Sequence, residues 1–96
     1  MACNKEYLKY VLELLSKVDN ISYRHMMGEY LLYSDGILFG GTYDERFLIK
    51  KTPSNENKGL REEIPYEGSK KLMYLVDTEN KDEVRSLVEN AINDLK

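Results

Sequence analysis

EYLLYSDGILFGGTY, residues 29–43, decides the architecture. Two strand-compatible runs, 29–34 and 37–43, flank Asp35-Gly36. An Asp-Gly pair between apolar runs is a strong signal for a two-residue hairpin, because a type I′ turn needs positive φ at both central positions. The second run therefore returns antiparallel to the first. A two-residue loop places Leu32 opposite Phe39 and Tyr30 opposite Gly41. One residue of slip would move every side chain to the other face. Gly40-Gly41 sits mid-strand, where missing side chains imply a bulge or a close approach by a helix or an aromatic ring.

Further strand material lies on both sides of this hairpin. Residues 21–27 precede Gly28, where the chain bends into the 29–34 run. Asp44-Glu45 makes a weaker turn into a run over 46–51, and a last run covers 72–76. Residues 52–63 are polar, contain Pro53 and Gly59, and read as a loop with a short helix around 55–62. Pro65-Tyr66-Glu67-Gly68 reads as a turn or an extended corner.

The ends are helical. Leu8, Val11, Leu12, Leu15 and Val18 form one stripe over 4–18, which Asn4 can cap and Asp19-Asn20 can stop. Val84, Leu87, Val88, Ala91, Ile92 and Leu95 form a second stripe over 83–95. Asn80, three residues before Glu83, resembles a capping box. The pattern predicts an α+β domain: an antiparallel meander of four to five strands flanked by N- and C-terminal helices.

Length and composition set the scale. Ninety-six residues make one domain, with roughly 60–65% of its unfolded surface buried and a thin core. Hydrophobic residues at 42% and charged residues at 32% fit a folded chain. The net charge of −3 argues against a general DNA-binding surface. The densest basic cluster, Arg46, Lys50, Lys51 and Lys58, is diluted by Asp44, Glu45 and Glu56. A single cysteine, Cys3, cannot form an internal disulfide and suits a reducing cytoplasm. No apolar run reaches the roughly 20 residues of a membrane span, and no leader peptide is visible.

Candidate chemistry is sparse. His25 is the only histidine, with no HxH or CxxC spacing around it, so a metal site is not expected. A Cys3–His25 nucleophile pair would rest on a terminus that is hard to fix in place. Met26, Met27 and Met73 lack the clustering of a copper site and read as core gap-fillers. No glycine pattern supports a nucleotide loop, and no cofactor is expected. Arg24 and Glu29 flank the Gly28 bend. They read first as a structural pair and second as a polar handle for a ligand, with Tyr66 nearby. Asp35 is most simply a turn residue. The chain has eight tyrosines. Six of them, at positions 23, 30, 33, 43, 66 and 74, either form the outer layer of a sheet or line a contact surface.

Arg24-x-Met26, Gly28-Glu29-Tyr30, Leu32-Tyr33 and Asp35-Gly36 followed by Phe39 resemble the central pattern of the TfoX/Sxy family N-terminal domain. That family is named for regulators of bacterial competence. Pro65-Tyr66-x-Gly68, with Lys70 or Lys71 and then Tyr74, matches a looser second pattern. The resemblance covers nearly the whole chain, including both helices. It departs at Met27, where phenylalanine is common, and at Gly40, where alanine is common. Longer members carry a second helical domain, so residues 1–96 are expected to form the first domain alone.

The resemblance implies a regulatory or interaction role linked to transcription, and brings no catalytic set that maps here. The expected function is therefore non-catalytic. Its partner would be a protein, transcription machinery among the candidates, or a second copy of the chain, with contacts through Tyr30, Tyr33, Tyr66 or their neighbours. A small-ligand site or enzyme using Arg24, Glu29 and Tyr66 is the alternative. Direct DNA binding by Arg24, Arg46, Lys50 and Lys51 is the weaker reading.

Overall fold

The computed structural model describes residues 5–26, 29–43, 45–56 and 58–96. Helix α1 spans Lys5–Leu14 and helix α2 spans Lys81–Leu95. Each buries one stripe: Leu8, Val11 and Leu14 on α1, and Val84, Val88, Ala91 and Ile92 on α2. The α-helical turn of α1 stops short of the expected residue 18, yet Leu15 and Val18 remain buried in the turn that follows. The Asn4 cap lies outside the described residues. Helix α2 begins two residues before its expected start. Extended Asn80 caps it, and its Oδ1 accepts from the backbone N–H groups of Asp82 (2.9 Å) and Glu83 (3.2 Å). The Asn80 N–H donates to Thr78 Oγ1 at 3.1 Å, where a capping box would use the Glu83 side chain.

Six strands form one antiparallel sheet: β1 Ile21–Met26, β2 Glu29–Ser34, β3 Ile37–Thr42, β4 Phe47–Ile49, β5 Glu62–Glu63 and β6 Met73–Leu75. Their spatial order is β1-β2-β3-β4-β6-β5, so the meander is broken only by β5, which lies outside β6. Asp35 (φ 52°) and Gly36 (φ 77°) close the β2–β3 hairpin with the positive dihedrals its sequence demands. Asn20 Nδ2 donates to Asp35 Oδ1 at 2.6 Å and ties that turn to the start of β1.

The register corrects one expectation. Pairing runs Ser34↔Ile37 and Tyr33↔Leu38, then jumps to Leu32↔Gly40, Leu31↔Gly41 and Tyr30↔Thr42. Leu32 thus faces Gly40, not Phe39, and Tyr30 faces Thr42, not Gly41. The cause is a β-bulge: Phe39 is an extra residue in β3, and its carbonyl accepts from Lys50 N–H at 2.8 Å. The paired backbones come close beside it. A Cβ on Gly40 would lie 2.2 Å from the Leu48 carbonyl oxygen, and one on Gly41 would lie 2.5 Å from that of Tyr30.

A second correction concerns residues 52–63. No helix forms there among the described residues, which include a turn over 53–56 and the short β5. Asn55 explains the turn. Its buried side chain accepts from Thr52 N–H (2.9 Å) and donates to the Lys50 carbonyl (3.0 Å), which holds the turn, and Gly59 at φ 71° is left-handed where the expected helix would run. The Ser54 N–H donates to Asp94 Oδ2 at 2.8 Å, anchoring the turn to α2.

Strand parity divides the sheet into two faces. One carries Tyr30, Leu32, Phe39, Phe47, Ile49 and Tyr74, which pack with both helices into a single core. The ion pair Lys81–Glu13 (3.6 Å) links the two helices, and Lys17–Asp82 (2.7 Å) ties the turn after α1 to α2. The opposite face carries Glu29, Leu31, Tyr33, Leu38, Gly41 and Leu48. Leu48 is fully buried yet lies outside the helix-covered core.

Candidate functional site

The face turned away from the helices carries a groove. Two cavities lie along it, of about 680 and about 500 Å³. Tyr43 and Tyr66 line both, so the two chambers adjoin at these rings. Leu38, Pro65, Leu72 and Met73 line the larger chamber, with Lys50, Lys51, Lys70 and Lys71 at its rim. The smaller is lined by Met26, Glu29 and Leu31. Apolar surface is left open here: Tyr66 is 58% exposed, Met26 45% and Leu72 43%.

One residue fixes the wall. Arg46 follows the β3–β4 turn, which closes through Tyr43 N–H to the Arg46 carbonyl at 2.8 Å. Its guanidinium donates to Glu63 Oε1 (2.8 Å) and to the carbonyls of Ile64 (2.9 Å), Pro65 (3.1 Å) and Tyr43 (3.2 Å). This planar set of donors clamps the chain over 63–65 onto the sheet. Tyr66 follows directly, and the Ser69 N–H closes its turn on the Tyr66 carbonyl at 3.1 Å, with Gly68 at φ 92°.

Charge is distributed unevenly along the groove. In the smaller chamber Glu29 Oε2 is buried and has no hydrogen-bond partner among the described residues. Leaving a buried acceptor unsatisfied costs about 1–3 kcal/mol, more for a charged group. Burial pushes the Tyr43 hydroxyl pKa above its ordinary value, and Glu29, Tyr66 and Tyr33 add to the rise. At the other end Lys51 pairs with Glu62 and lies 5.3 Å from the Tyr74 ring centre. Lys50, Lys70 and Lys71 have no ion-pair partner among the described residues.

The residues singled out from sequence divide among several places. Met26, Glu29 and Tyr66 meet in the smaller chamber. Tyr33 lies on the same sheet face, half-buried. Arg24 also lies on this face, exposed and diagonal to Glu29 through the pairs Arg24↔Leu31 and Met26↔Glu29. No Arg24–Glu29 ion pair forms among the described residues. Asp35, Gly36 and Gly68 are turn residues. Gly28 and Met27 lie outside the described residues, as do Cys3 and Asp44.

Two expectations are corrected. Tyr30 cannot serve the contact surface, because its parity turns it to the helix side, where it is 4% exposed and stacks on His25 at 4.8 Å. Met26 is not a core residue, because its pairing with Glu29 turns it to the sheet face away from the helices, where it is exposed. The sequence reading placed Tyr43 among six tyrosines of a possible contact surface and Arg46 among possible DNA-binding cations, and gave neither its part in building the groove. The signal for Tyr43 was its parity with Gly41: its Cε2 lies 3.0 Å from where a Gly41 Cβ would be. Arg46 gave no local signal for the clamp, since the three partners it holds there lie 17–19 residues away.

A two-layer α+β domain with helices on one sheet face and a tyrosine-lined groove on the other is the class this structure defines. The family model for the TfoX N-terminal domain matches residues 13–95, and the chain belongs to that family. Comparison with curated proteins finds no match. Among the described residues no cluster of His, Cys, Asp or Glu could hold a metal ion, and no helix is long and apolar enough to cross a membrane.

Proposed function

We propose that this domain is a non-catalytic regulatory module of the cytoplasm that works by binding another protein in the groove on its open sheet face. The observation that carries the reading is the pair of adjoining cavities, floored by apolar side chains and flanked by exposed Tyr66, Met26 and Leu72. Aromatic and apolar groups gathered in one concave patch are what protein contacts use. Family membership supports a regulatory role, of the kind linked to competence and transcription. A DNA-binding reading is weakened because two of its four cations are engaged internally: Arg46 as the clamp and Lys51 with Glu62.

The test is site-selective photo-crosslinking in the native cytoplasm. A benzophenone amino acid at Tyr66 should give discrete adducts, and the same group at exposed Ser86 on α2 should not. Equal adduct patterns at both positions, or none at Tyr66, would remove the groove as a protein-binding site.

A further inference from the structure

The smaller chamber has a chemistry of its own. Among its described lining residues the one carboxylate is Glu29, whose Oε2 is buried and has no hydrogen-bond partner among the described residues; Tyr43, Tyr66, Met26 and Leu31 complete the lining. A buried acceptor of this kind gains most from a charged donor. Tyrosine faces favour a cation, and guanidinium groups above all. Methionine and leucine suit the aliphatic stem that carries it. The chamber therefore matches a basic side chain in each of its parts.

The surroundings say what bears that side chain. The neighbouring chamber is rimmed by Lys50, Lys51, Lys70 and Lys71, whose charge repels a freely diffusing amine or metal ion. A cation reaches Glu29 most favourably on a chain whose adjoining residues are acidic and lie on Lys50, Lys70 and Lys71. Arg24 of the chain itself is the nearest rival: it shares the face, but is exposed and makes no ion pair with Glu29 among the described residues.

We propose that the Glu29 chamber receives an arginine or lysine side chain from an acidic segment of the partner protein, held between Tyr43 and Tyr66 with its charge on the Glu29 carboxylate. This rests on the protein-binding reading of the groove and adds the chemistry of the partner.

The experiment uses the full chain and two synthetic peptides, acetyl-Arg-Leu-Gly-Asp-Glu-amide and its reversed order, acetyl-Glu-Asp-Gly-Leu-Arg-amide. Each is paired with an analogue in which neutral citrulline replaces arginine. Titrations are followed by backbone amide NMR. At least one arginine peptide should shift Glu29, Leu31 and Tyr43 saturably and bind about tenfold tighter than its citrulline twin, the weight of one charge-assisted hydrogen bond. Glu29→Gln, checked for a native spectrum, should bring the arginine peptide down to the citrulline level. Equal binding of arginine and citrulline peptides to the wild-type chain, or no saturable shift with any of them, would overturn the proposal whether or not the variant folds. The two readings fail separately. If Leu72→Glu abolishes the Tyr66 crosslink while Glu29→Gln leaves it intact, the groove binds protein and the basic side chain is wrong.

Discussion

Replacing Gly40 by alanine should be among the most damaging small changes available to this domain. The added Cβ would fall 2.2 Å from the Leu48 carbonyl oxygen and 2.9 Å from Ile49 Cα. Both are backbone atoms of β4, so no side chain can swing aside. Contacts shorter than 3.0 Å force something to move, and here the deficit to the carbonyl is about 0.8 Å. The β3–β4 pairing must open, which puts Gly40↔Ile49 and the Lys50 N–H to Phe39 carbonyl bond at risk. Overpacking typically costs about 1–3 kcal/mol, and a backbone clash of this size belongs at the top of that range. About 3 kcal/mol is a large share of the about 5–15 kcal/mol a domain holds in total. For a chain of this length it lowers the melting temperature by about 12–24 °C. Urea unfolding followed by circular dichroism measures it, with an unchanged slope showing that the denatured state is not at issue. Gly59→Ala is the control: φ is 71° there, but nothing lies within 4 Å of the new Cβ, so only backbone strain of about 1–2 kcal/mol remains. If Gly40→Ala costs less than about 1 kcal/mol, or no more than the control, the argument from strand approach is wrong.

Other expectations are more local. Arg46→Ala should lose about 2 kcal/mol, since it strips donors from Glu63 and three carbonyls; hydrogen exchange should rise over 63–66 before the helices are affected. Asn80→Ala removes the α2 cap and should cost about 1 kcal/mol by thermal melting. Tyr43 should titrate above the ordinary tyrosine range, seen in ultraviolet difference spectra, and Glu29→Gln should bring it down. Because the folded value is raised, the associated stability is complete below about pH 10 and is lost as pH climbs through the folded pKa. Asp82 behaves in the opposite sense. The Lys17 ammonium holds its carboxyl below the usual value, so its contribution is present at neutral pH and fades as pH falls through the folded pKa.

What could be read in the sequence was local. The Asp35-Gly36 turn, the two helical stripes and the Asn80 cap each depend on residues within a few positions of one another, and each stands in the structure. The bulge at Phe39 and the Arg46 clamp were invisible because their causes are distant. Phe39 is set by the Lys50 N–H, and Arg46 by carbonyls over 64–65. The short β5 exists only because β6 lies beside it, with Leu75 N–H donating to the Arg61 carbonyl at 2.8 Å. The site was half legible. Glu29, Met26 and Tyr66 drew notice through motif and charge, but the parity that puts Tyr33 and Tyr43 on the groove side and Tyr30 on the other depends on the register.

The bulge has a consequence for chain length. Most single-residue deletions in a strand invert every side chain beyond the cut. Deleting Phe39 would not, because the ladder already steps over it, from Tyr33↔Leu38 to Leu32↔Gly40. Every remaining pair would keep its partner and its face, and the losses would be one aromatic ring in the core and the carbonyl that accepts from Lys50 N–H. Position 39 is thus the one place in β3 where the protein can shorten by a residue and keep its helix-covered face and its groove in register.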